Sequence, residues 1–193
     1  MLATTHNKSK MKHDELYDAT IPVFVHYLGN LRTILEEGKR HVAITNKSTN
    51  KKTGKQAKMT EEELISARLA PDMYTFIQQI GYAYFMTLEA ATILAGKEMP
   101  KFTYDEKTIA ELDASLLRAI LYLKTIKPRD FAREEEKQKD KKVKTYLHPT
   151  KRFSREAYVH TLAVPNFFFH VTTAYDIFRH KGVPLGKSHF LDT

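Results

Sequence analysis

Asn166 and His170 stand four residues apart in the stretch VPNFFFHVTTAYDIFRHKGVPLGK, which runs from Val164 to Lys187. Pro165 suits the first position of a helix, where its missing N–H costs nothing, and Gly182 suits a left-handed stop. A spacing of four stacks the carboxamide and the imidazole on one face, beside Phe167, Val171, Ala174 and Ile177. A polar pair in an apolar stripe has three physical uses. The imidazole can ligate a metal; it can carry protons, since it titrates near neutral pH; or the pair can simply satisfy itself and fix helix register.

The elements that must position this pair are helical. Tyr17, Phe24, Leu28, Leu31 and Leu35 make one apolar stripe over 17–38, with Pro22 marking a helix start or kink. Thr60 and Glu63 form a capping-box signature before the short segment ELISARLA. Pro71 then opens a longer helix to Gly96, with Met73, Phe76, Ile77, Ile80, Tyr84, Leu88, Ala91 and Leu94 on its apolar face. Thr103 and Glu106 repeat the capping pattern ahead of Ile109, Leu112, Leu116, Ala119 and Leu123, and Pro128 is read as that helix's stop. The fourth helix is the one carrying His170. KVKTYLHPTKRF is the one segment suited to a short hairpin or extended arm. The expected fold is therefore all-α, a four-helix bundle with long polar connections, in which ligand sites lie between facing helices.

The chain of 193 residues suits one domain over 16–191, after an extension at 1–15. The net charge of +8 suggests a polyanion partner, but seven of those charges fall in a stretch at 39–58 that contains no acid: Lys39, Arg40, Lys47, Lys51, Lys52, Lys55 and Lys58. That stretch has no aromatic residues to stack on bases and reads as a solvated loop, as does the charged insertion at 131–152. Nucleic acid is accordingly not expected as a partner. No apolar run reaches the roughly 20 residues of a membrane span, and the opening MLATTHNKSKMKHDE lacks a secretory core. No membrane partner is expected, and the location expected is the cytoplasm, in keeping with a chain that has no cysteine.

Three blocks carry a resemblance: LYDATIPVFVHYLGNLRTIL, ARLAPDMYTFIQQIGYA and VPNFFFHVTTAYDIFRHKGVPLGK. In order and spacing they resemble a domain-of-unknown-function family within the DinB/YfiT-like superfamily of metalloenzymes, over roughly Leu16 to Leu191. That resemblance implies a helical bundle and a divalent metal held by one His of the second helix and two His four apart on the fourth, followed by Arg and Gly. Arg179 and Gly182 fit the ending, which puts His170 at one ligand position, Asn166 at the other, and Gln79 at the second-helix position. Two amides replace two imidazoles. Zinc, nickel or iron favours imidazole, thiolate or carboxylate, so a site made of Gln79, Asn166 and His170 would need a further acid such as Asp72.

Read without a metal, the same residues suit proton transfer on a small molecule: isomerisation, dehydration or hydrolysis. His170 would act as acid or base, Asn166 and Gln79 would orient a carbonyl or carboxylate, and Asp72, two turns before Gln79, would orient His170 or serve as partner acid. Tyr27 and Tyr175 are candidate hydroxyl donors, Phe167 a candidate pocket wall, and Lys187 a candidate contact for an anionic ligand at the pocket mouth. GVPLGK itself lacks the spacing and preceding strand of a phosphate loop. His26 projects away from the apolar stripe and His180 sits in a last turn, so neither is assigned a role. Three readings follow: an acid/base enzyme or binder centred on His170, a metal-dependent hydrolase or transferase at the same place, and a non-catalytic homodimeric interaction module.

Overall fold

The computed structural model describes residues 12–47, 59–137 and 142–192. Among them, α1 (His13–Asp18) and α2 (Ile21–Lys47) are separate helices. The break falls at Ala19 and Thr20, where the Thr20 hydroxyl donates to the Leu16 carbonyl at 2.6 Å, and Pro22 then sits in the first turn of α2. Helix α2 does not end at Gly38. A Cβ there would lie 2.3 Å from the Phe178 ring, so the glycine serves close helix packing and the helix continues to Lys47. The basic loop expected at 39–58 is thus helical through Lys47, and its remainder lies outside the described residues.

The capping box at Thr60 and Glu63 opens α3 (Glu61–Ile65): each side chain bonds the other's backbone N–H, at 3.0 and 2.8 Å. Turns occupy 66–75, and α4 (Phe76–Ala95) begins five residues after Pro71, once the Gln78 side chain has accepted the Thr75 N–H at 2.9 Å. It stops at Gly96, whose φ of 59° is the left-handed conformation a glycine end permits. Thr108 and Glu111, not Thr103 and Glu106, cap α5 (Ile109–Lys124). Pro128 does not merely stop α5; it is the first residue of α6 (Pro128–Lys137), so the charged insertion begins as helix.

Past Ser154, whose side chain accepts the Ala157 N–H, α7 (Arg155–Tyr158) passes through a wide π turn at Val159–Ala163 into α8 (Val164–His180). The fourth helix therefore starts about ten residues before Pro165. The wide turn admits a proline that has no N–H to offer and would crowd the carbonyl four residues back. Gly182 closes α8 with φ 87°, and α9 (Lys187–Leu191) follows. The expected hairpin is a single antiparallel bridge between Val143 and Phe153.

The long helices pack as a closed ring: α2 on α5, α5 on α4, α4 on α8, and α8 back on α2. Phe24, Leu28, Leu31, Ile80, Leu88, Leu112, Leu116, Phe167 and Ala174 fill its interior with no exposed surface. Helix α1 lies against α6, and α9 against α2. No helix among the described residues is long and apolar enough to cross a membrane.

Candidate functional site

Neighbouring helices α4 and α8 bring Gln79 and His170 together. The Gln79 amide nitrogen donates to the Tyr74 carbonyl at 3.4 Å, which leaves its Oε1 to accept from His170 Nδ1 at 2.6 Å. That bond fixes the proton on Nδ1 and leaves Nε2 with a free lone pair; among the described residues no partner is found for it. Tyr82 stacks on the imidazole at 5.2 Å between centroids, and Phe169 meets it edge-on at 5.4 Å. Burial lowers the pKa of His170 to about 4, so the ring is neutral at physiological pH.

The other expected members do not converge on it. Asn166 turns its amide nitrogen to the Met86 sulfur. Asp72 lies exposed in the turns before α4, not on that helix, so it has no common face with Gln79. Phe167 is fully buried against Phe24 and belongs to the core. Tyr27 packs between Phe168 and Phe190, and Tyr175 edge-on to Phe190, in a second aromatic group where α9 docks. Lys187 is exposed at the start of α9. His26 is exposed as expected and reaches the Leu191 carbonyl at 3.3 Å.

Open space adjoining Tyr82 lies beside α4. A cleft of about 360 Å³ is lined by Ile77, Gln78, Gly81, Tyr82 and Phe85 of α4, by Tyr104 and Glu106 of the segment before α5, and by Tyr146. Tyr82 belongs to both places, walling the cleft and stacking on His170. Its other neighbour is Tyr74, stacked at 4.6 Å with the two hydroxyls 3.2 Å apart. Glu106 Oε1 accepts from the buried Tyr84 hydroxyl at 2.9 Å and from the Ser115 hydroxyl. Arg118 donates to that same Ser115 oxygen at 2.8 Å and lies over the Phe102 ring. Tyr104, held at a left-handed φ of 54°, stacks on Tyr84 at 5.2 Å; burial, helped by the Glu106 charge, raises its pKa to about 12. Tyr146 stands edge-on to Phe85 at 5.6 Å, anchored by its N–H on the buried Glu89 carboxylate at 2.5 Å.

Sequence reasoning missed Glu106, Tyr104 and Tyr146. Glu106 was assigned to a helix cap that forms five residues later, and Tyr146 to an insertion set aside as lying outside the core. The signal available was two aromatics and two acids within FTYDE, a few residues after an apolar helix.

Gln79, Asn166 and His170 do not fit a divalent transition metal. The Gln79 oxygen is occupied by the His170 N–H, the Asn166 amide faces a thioether, and the three supply no negative charge. Among the described residues no group of three or more His, Cys, Asp or Glu converges to hold an ion.

The fold and this site define a class: a ring of four long helices, with a buried histidine–amide pair between two of them and an aromatic cleft on the flank. The chain belongs to the domain-of-unknown-function family DUF1993, whose profile matches residues 16–191. Its structure is similar to the crystal structure of a DinB family member protein from Shewanella denitrificans, 28% identical over 93% of each chain, with a TM-score of 0.78. No curated protein matches the chain. The family resemblance holds on the profile match and the DinB likeness on the solved structure, and the described elements of the fold are helical as expected.

Proposed function

We propose that this protein binds a small organic molecule in the cleft on the α4 flank, against Tyr82, Phe85, Tyr104 and Tyr146. The observation that carries the reading is the shared ring of Tyr82, which joins a concave, largely aromatic space to a neutral buried imidazole. Ligand-observed NMR against a mixed metabolite library tests it, with Phe85→Arg as the variant that fills the cleft. Hits that Phe85→Arg abolishes support the reading; hits indifferent to that change, or none from the wild type, defeat it.

A second reading is favoured by the partnerless lone pair on His170 Nε2. With Nδ1–H held by Gln79 Oε1, a neutral imidazole is poised to accept a proton at Nε2, the base of an isomerase, lyase or hydrolase. Movement of the Tyr82 ring off the imidazole would bring a cleft-bound substrate to that nitrogen. His170→Gln should then leave ligand affinity within about threefold while abolishing turnover of a substrate identified in the screen. Equal turnover in both proteins confines His170 to a structural role.

A further inference from the structure

Resting on the cleft reading above, we propose that the ligand is an organic cation, a protonated amine or a quaternary ammonium group, seated among the rings with Glu106 as its counter-charge. Tyr82, Phe85, Tyr104 and Tyr146 come from three separate segments of chain to line one space. Aromatic faces carry negative potential and attract cations, and several faces around one cation are the arrangement that recognises alkylammonium groups. Among the described residues of that lining, the only ionisable group other than the phenols is the Glu106 carboxylate.

The surroundings of Glu106 hold that charge in place. Tyr84 and Ser115 both bond Oε1, and among the described residues no partner is found for Oε2. Arg118 spends its reach on Ser115 and the Phe102 ring. The phenol of Tyr104 keeps its proton up to about pH 12, so the ring stays neutral and a cation is the one charge the lining complements. Tyr104 is held in place against a left-handed backbone, φ 54°, that a bulky residue adopts only when its surroundings require it. An anionic ligand would meet the Glu106 carboxylate with no cationic side chain in the lining to offset it.

Choline and its neutral tert-butyl isostere separate charge from shape. Both are titrated into the full-length protein while the aromatic resonances of Tyr82, Phe85, Tyr104 and Tyr146 are followed. The cation should bind at least about tenfold more tightly than the isostere and shift those rings. Glu106→Gln keeps an oxygen for Tyr84 and Ser115 and should erase most of that preference with the fold intact by circular dichroism. Tyr146→Ala, on an exposed ring, should weaken the cation about fivefold and the isostere less.

Equal affinity for the two probes overturns the inference and leaves the cleft reading standing. So does failure of choline to bind while library ligands still occupy the cleft. A preference that survives Glu106→Gln unchanged removes the counter-charge and overturns the inference as stated. Failure of every ligand, library included, takes the cleft reading down with it.

Discussion

His170 is a buried imidazole that desolvation holds in its neutral form. Its folded pKa, about 4, lies below the ordinary 6.5, so the unfolded chain binds the proton that the folded one refuses. Stability from this group is fully present above pH 6.5 and is lost as pH falls toward 4, by up to about 3 kcal/mol. Urea unfolding at pH 7.5 and pH 4.5 should show that loss in the wild type relative to His170→Gln; identical pH profiles would mean that the imidazole is not desolvated. His170 was legible in the sequence because one helical face explained it, and Gln79 was legible through the family blocks. Glu106 was not, because its role depends on an extended segment folding over α4, which no periodicity records.

At the scale of elements, helix identity was readable from stripes and caps, whereas several boundaries were not. Gly38, Pro71 and Pro128 all carry the chemistry of a helix end, yet only tertiary context decides whether it is used. Gly38 is the clearest case. Phe178, which would have to move for a Cβ at that position, is itself stacked 3.7 Å from Phe76 and has no room to retreat. Gly38→Ala should therefore destabilise by about 1–2 kcal/mol despite the better helix propensity of alanine. At Gly29, on the same helix, a Cβ meets nothing within 4 Å, and Gly29→Ala should stabilise by about 0.5–1 kcal/mol. Paired thermal melts check both signs; a stabilised Gly38→Ala would mean that α2 and α8 slide apart at little cost.

For the molecule as a whole, the ring of long helices is tied to its short elements by one buried guanidinium. Arg155 donates to the carbonyls of Leu94, at the end of α4, and Phe131, in α6, at 2.6 and 3.3 Å. Its Nε and Nη1 have no partner among the described residues, and burial lowers its pKa. Keeping a buried charge while losing the planar reach that brings Nη2 to both carbonyls is worse than removing the charge, so Arg155→Lys should cost about 2–3 kcal/mol and Arg155→Met about 1. The order of the two denaturation midpoints is the measurement, and the reverse order would show that the charge itself is well accommodated. That bridge was illegible in the sequence, since Arg155 lies just past the charged insertion at 131–152 and nothing in its neighbours marks it for burial.

The π turn at Val159–Ala163 also sets an angular phase. One additional residue in a helix rotates everything after it by about 100°, so the widening upstream of Pro165 decides which way the imidazole eleven positions after Val159 points. Were the chain one residue shorter there, with the N-terminal half of that rod held in place, His170 would swing out of alignment with its carboxamide and Tyr82 would keep only Tyr74 stacked on it. The aim of the buried pair is thus dialled by a backbone irregularity that touches neither member of it.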